Sequence, residues 1–123
     1  GKVSTSIKDT LKRMGISPAV VRRVAIVSYE AEMNLVMYAT RGTVSLSVSR
    51  DSVVLIVADE GPGIPDISLA MQEGYSTATP EMREMGFGAG MGLPNIRKNA
   101  DEFDISSEVG RGTSLFIRVE QAA

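Results

Sequence analysis

Val53-Val54-Leu55-Ile56-Val57-Ala58-Asp59-Glu60-Gly61-Pro62-Gly63 is an unbroken apolar run that ends on two acids and a glycine–proline turn. The run reads as a central strand covered on both faces. Asp59 then stands at the end of a buried strand, where its carboxylate can accept a hydrogen bond from an amino group on a planar base. Gly61 and Gly63 would let backbone and ligand approach closely. The same residues also suit an ordinary turn leaving a strand.

Upstream, Val44, Leu46 and Val48 alternate with Thr43, Ser45, Ser47 and Ser49, as in a strand with one wet face. With a turn at Arg50-Asp51-Ser52, the two runs form a hairpin. Before them, Ser17 as N-cap and Pro18 at the first helical position open a long helix. Val21, Val24, Ala25, Ser28, Ala31, Leu35 and Tyr38 trace one face of it, and Arg41-Gly42 closes it. Val3, Ile7, Leu11 and Met14 place a shorter helix over Lys2 to Met14, stopped by Gly15.

Downstream, Glu60 to Gly92 holds seven of the twelve glycines, with a short helix expected near Ile67 to Glu73. So long a connection is a candidate functional lid. A third helix is expected over Leu93 to Phe103. Strands at Phe103 to Glu108 and Thr113 to Val119 follow, joined by Gly110-Arg111-Gly112. This order predicts one α+β domain over residues 1–123. It would be a two-layer α/β sandwich with helices on one face of a mixed, largely antiparallel sheet.

Composition narrows the chemistry. The chain is 43% hydrophobic and 23% charged with net charge −2, a folded soluble balance without the basic surplus that nucleic acid attracts. There is no cysteine, which excludes disulfides and thiolate metal sites and fits a reducing cytosol. There is no histidine, so the chain has no histidine nucleophile, base or phosphoryl acceptor. No apolar run reaches the length of a membrane span.

Three further patterns carry possible chemistry. Glu30 and Asn34 lie four residues apart and so share one helix face. A carboxylate and an amide oxygen placed this way can hold a hydrated magnesium ion or orient a nucleophile, or can be a plain solvated pair. Gly86, Gly88, Gly90 and Gly92 run into a helix, offering backbone N–H groups to phosphates, or else form a floppy loop. Gly110-Arg111-Gly112-Thr113 suits a hairpin turn. Dinucleotide and P-loop fingerprints are absent, as are the H-R-D and D-F-G motifs of ordinary protein kinases.

Taken in order, E-x-x-x-N on a helix, D-x-G-x-G after a strand, G-x-G-x-G opening a helix and G-x-G-T between terminal strands resemble the GHKL superfamily of ATPases and kinases. Its members share the Bergerat ATP-binding fold. The resemblance covers nearly the whole chain. It implies Glu30 as general base, Asn34 as magnesium ligand and Asp59 as reader of adenine, assisted by Thr113 through water. It implies Gly61 and Gly63 against the base, and Gly86, Gly88, Gly90 and Gly92 over the phosphates. Arg41 falls where related histidine kinases often carry a phosphate-facing cation. ATP and Mg2+ are the implied cofactors.

Asn34-Leu35-Val36-Met37-Tyr38-Ala39, Glu73-Gly74-Tyr75-Ser76-Thr77, Met91-Gly92-Leu93-Pro94 and Asp101-Glu102-Phe103-Asp104-Ile105 resemble the small anti-sigma-factor serine kinases and their stressosome-type relatives. That implies a cytoplasmic serine/threonine kinase acting on a small partner, typically a STAS-domain antagonist. A sigma factor is a further implied partner and a homodimer a further implied state. The family usually begins with a strand ahead of the first helix, and here the helical pattern starts almost at Gly1. Two other readings stand beside this one. One is an ATP-gated binding module that holds a partner without chemistry, and the other is the catalytic domain of a sensor histidine kinase.

Overall fold

In the computed structural model, which describes residues 1–72 and 92–121, the longest element is the one Ser17 opens. The Ser17 hydroxyl accepts the N–H of Val20 at 3.4 Å, and Pro18 occupies the first turn, where a missing N–H costs nothing. This helix, α2 (Pro18–Tyr38), buries Val20, Val21, Val24, Val27 and Ala31. The preceding helix, α1 (Lys2–Arg13), lays Ile7 and Leu11 into the same core.

The long helix ends earlier than Arg41-Gly42. Ala39 is already extended, and Thr40 donates its N–H to the Glu60 carbonyl at 2.8 Å. The sheet ladder captures the chain there, so Arg41 begins strand β1 (Arg41–Val48) instead of closing a helix. β1 turns into β2 (Ser52–Glu60) in the expected hairpin, with Val48 opposite Val53. A short helix α3 (Ile67–Ala70) follows, capped by Asp66, whose carboxylate accepts the N–H of Leu69 at 3.0 Å. Helix α4 (Gly92–Asn99) and the hairpin of β3 (Glu102–Glu108) and β4 (Gly112–Glu120) complete the described elements. α4 stops short of Phe103. The Asp101 N–H bonds the Arg118 carbonyl, and its carboxylate takes the Glu120 N–H at 2.7 Å and Arg23 at 3.0 Å, which pulls the chain into the sheet.

The sheet order is β1-β2-β4-β3. Every ladder among the described residues is antiparallel, in keeping with the expected largely antiparallel sheet. Two hairpins lie side by side, and that arrangement needs no parallel pair. Val53, Leu55 and Val57 face the helices together with Leu115, Ile117 and Val119, and all six are buried. The opposite face carries Ile56, which is 45% exposed, and half-buried Val54 and Phe116. The expectation of cover on both faces therefore fails: apolar continuity along β2 exceeds what one layer of helices buries. Among the described residues no helix is long and apolar enough to cross a membrane.

One buried acid ties the helices together. The Glu32 carboxylate accepts the N–H of Ser4 at 3.0 Å and of Val3 at 3.2 Å, so α2 supplies a cap that α1 lacks from its own side chains. Burial pushes the Glu32 carboxyl up, but these N–H groups outweigh it and hold it below its ordinary value of 4.5. Glu32→Ala should lower stability by about 1–3 kcal/mol, because one buried and one part-buried donor lose their acceptor. The sign of the pH effect follows. A depressed folded pKa contributes stability above the unfolded value and loses it as pH falls through the folded value. Asp101 is lowered as well, chiefly by the Glu120 N–H, and acts in the same sense. The melting temperature of the parent should fall on acidification below about pH 4.5, and Glu32→Ala should flatten that fall. An unchanged melting profile would remove Glu32 from the account of stability.

Candidate functional site

Two glycine turns that lie far apart in sequence meet at one end of the sheet. β2 ends in Asp59 and the 61–63 turn; β4 begins just beyond the 110–111 turn. Gly61 donates its N–H to the Arg111 carbonyl at 3.0 Å, and Gly110 donates to the Pro62 carbonyl at 2.9 Å. Thr113 donates its N–H to Asp59 Oδ1 at 3.1 Å. Gly63 has φ +75°, and a Cβ there would run into the Glu108 backbone. A Cβ at Gly112 would collide with the Asp59 carbonyl. Both positions are tight enough that only glycine fits without displacement.

Asp59 is half-buried, and burial pushes its carboxyl above the ordinary value, with the Thr113 N–H partly offsetting this. Thr113 is its one bonded partner among the described residues. Oδ2 thus remains an acceptor in a partly desolvated position. Ser107 completes the cluster: its hydroxyl accepts the Ile64 N–H at 2.7 Å, lies 2.9 Å from Thr113 Oγ1 and donates to the Gly112 carbonyl at 3.1 Å. Sequence reading overlooked Ser107. Its signal was a hydroxyl at the third inward position of β3, after Phe103 and Ile105.

The second half of the site lies on α2. Glu30 and Asn34 are both half-buried and share the face that meets the start of α4. A Cβ at Gly92 would stand 3.3 Å from Glu30 Oε2, 3.6 Å from Asn34 Oδ1 and 3.8 Å from Asn34 Nδ2. The first turn of α4, the positive end of its dipole, therefore abuts the carboxylate and the amide. Glu32, between them in sequence, points elsewhere and serves the α1 cap. The two halves share one end of the sandwich. Gly42 pairs with Asp59 across the ladder, and a Cβ at Gly42 would strike the side chain of Leu35, the residue after Asn34.

The structure thus brings together Asp59, Gly61, Gly63 and Thr113 in one cluster and Glu30, Asn34 and Gly92 in another. Arg41 is not brought to them. It is exposed and pairs with Glu60, and the strand alternation places it on the opposite face from Gly42 and Asp59. Gly86, Gly88 and Gly90, with most of the expected lid, lie outside the described residues.

These residues fit a magnesium nucleotide. Asp59 Oδ2, which has no partner among the described residues, can accept from an exocyclic amino group, and Gly63 lets the turn lie against the Glu108 backbone, where a side chain would not fit. Asn34 Oδ1 and Glu30 are hard oxygen donors beside a helix N-terminus. Among the described residues no group of three or more His, Cys, Asp or Glu could hold a metal. A magnesium ion at Asn34 would accordingly take most of its ligands from phosphate and water, as this ion commonly does.

Comparison with known proteins identifies the family. The family model described as histidine kinase-, DNA gyrase B- and HSP90-like ATPase matches residues 8–123. The serine/threonine-protein kinase RsbT of Bacillus subtilis (strain 168) is 30% identical over 112 residues, covering 88% of this chain and 78% of that protein. An anti-sigma F factor of Geobacillus stearothermophilus is 42% identical over 79 residues, covering 63% of this chain and 51% of that one. An anti-sigma F factor of Thermoanaerobacter sp. (strain X514) is 37% identical over 71 residues, 58% of this chain and 46% of that one. The chain spans about half the length of these anti-sigma F factors.

Proposed function

The chain belongs to the family of histidine kinase-, DNA gyrase B- and HSP90-like ATPases, and on that premise we propose that it is an ATP-dependent serine/threonine protein kinase of the anti-sigma-factor type. Its substrate is a small regulatory protein, a STAS-domain antagonist by resemblance, and its setting is the cytoplasm. The observation that carries the reading is the approach of Gly92 to Glu30 and Asn34, which sets a carboxylate, an amide oxygen and the start of α4 around one point.

Magnesium ATP supplies the transferable phosphoryl group and neutralises its charge when bound. Asp59 Oδ2 accepts from the adenine amino group, with Thr113 beside it. Asn34 Oδ1 would hold the magnesium. Glu30 would take the proton from the partner's hydroxyl as that oxygen bonds to the γ-phosphorus, the β–γ bridging bond breaks and ADP leaves. Positioning and charge neutralisation carry most of such a reaction.

The test is incubation with γ-labelled ATP and the partner recovered from the source cell. Acid-stable label on a serine or threonine of the partner supports the kinase reading. Acid-labile label on a histidine favours the sensor-kinase alternative. A second reading, ATP-gated holding of a sigma factor, draws on the relatives named anti-sigma F factors. It expects partner affinity to change with ATP while no phosphate is incorporated.

A further inference from the structure

A groove of about 620 Å³ runs between α1 and the outer side of α2 and ends on Glu30. Its floor is apolar, formed by Val21, Ala25 and Ile26, and Tyr29 stands 45% exposed at the Glu30 end. Its rim is basic. Lys8 and Lys12 sit one turn apart on α1, and Arg22 faces them from α2. All three are exposed, and none forms an ion pair with a described residue. Glu30 is the one acid in the lining. The rim therefore carries three positive charges in a chain whose net charge is −2.

Such a groove does not follow from helix packing alone. Side chains on the solvent side of a helix usually mix both signs of charge, whereas here one sign borders an apolar floor. Pro18, Val21, Arg22, Ala25, Ile26, Tyr29 and Glu30 recur every three or four residues, so they form one stripe along α2. At 1.5 Å per residue the stripe from Pro18 to Glu30 is about 18 Å long. An extended peptide covers that length in about five or six residues. Alternating side chains of such a peptide would meet the floor and the rim in turn.

We propose that this groove docks an extended acidic segment of the substrate protein, with apolar residues on the floor, carboxylates against Lys8, Lys12 and Arg22, and the reacting hydroxyl delivered at Glu30. The reacting end rests on the kinase reading above, whereas the docking chemistry stands on the groove itself. Charge complementarity of this kind governs encounter rate and choice of partner, and it weakens with salt.

The test uses the full chain and fluorescein-labelled peptides of nine residues. One set carries a terminal serine preceded by alternating Asp/Glu and Leu. A second replaces the acids with Lys, and a third replaces Leu with Gly. Affinity is read by anisotropy, and phosphate incorporation is read separately with labelled ATP. The parent should bind the acidic, Leu-containing set at least about tenfold more tightly than either other set at low salt, with the preference shrinking in high salt. Lys8→Glu/Lys12→Glu/Arg22→Glu should lose that preference while keeping its melting temperature and ATP affinity. Equal affinity for acidic and basic sets, or a preference unchanged in the triple variant, overturns the proposal. So does equally tight binding of phosphatidylserine vesicles, because that would make the groove a surface for anions in general. Acidic-peptide binding that the variant loses, without any incorporated phosphate, keeps the groove and removes the kinase reading.

Discussion

Glu30→Ala should leave ATP affinity nearly intact while slowing phosphoryl transfer about 10²–10⁴-fold, the usual cost of removing a general base. The reason is a division of labour along one helix face. Glu30 and Asn34 both adjoin Gly92 at the start of α4. On the proposed assignment Asn34 would hold the magnesium and through it the phosphates, so Asn34→Ala should weaken magnesium-dependent ATP binding. Glu30 would act on the incoming hydroxyl and so should matter only when a partner is present. Calorimetry with magnesium ATP and single-turnover phosphate incorporation separate the two phenotypes. A Glu30→Ala protein that phosphorylates its partner at the parental rate would remove the base assignment, and unchanged magnesium dependence in Asn34→Ala would remove the metal ligand.

Asp59→Asn should cost about 1.5–3 kcal/mol of ATP binding and should erode discrimination against GTP. Thr113 fixes the orientation of the replacement. Its N–H points at Oδ1 from 3.1 Å, so the asparagine must turn its oxygen there. The NH2 group then occupies the place of Oδ2 and faces the adenine amino group, donor against donor. Guanine presents an acceptor at that edge, so the same change favours it. Stability should move the other way. Burial raises the Asp59 pKa, which means that its ionised form opposes folding above the folded pKa, and removing the charge relieves that cost. The expected pattern is a higher melting temperature without nucleotide together with weaker ATP binding. Weaker ATP binding with a lower melting temperature would instead indicate a damaged fold.

Local signals carried most of the architecture. Ser17-Pro18 marked the start of α2 to the residue, and the Thr43–Ser49 alternation marked β1, because caps and period-two patterns are written in neighbouring residues. What failed depended on distant partners. The end of α2 was set by the Glu60 carbonyl, and the end of α4 by the Arg118 carbonyl together with the backbone of Glu120. Open and covered faces of β2 were indistinguishable because Ile56 is as apolar as Leu55. In the site, glycine and acid motifs stood out, whereas Ser107 and Glu32 did not. Their importance lies in backbone N–H groups more than 25 residues away in sequence (separations of 43 for Ile64 and 28 for Ser4).

The stitching of the 61–63 turn to the 110–111 turn bears on how the protein survives in the cell. Asp59 and Thr113 are 54 positions apart, so their bond closes a large loop, and the ladder beside it is the central pair of the sheet. A nucleotide held across that seam acts as a removable staple. At a hundred times its dissociation constant it would add about 2.7 kcal/mol to the folded state by mass action. The gain should appear first as slowed hydrogen exchange at the amides of Gly61, Gly110 and Thr113. If the nucleotide binds there, a fall in ATP should leave the folded chain easier for a protease to open.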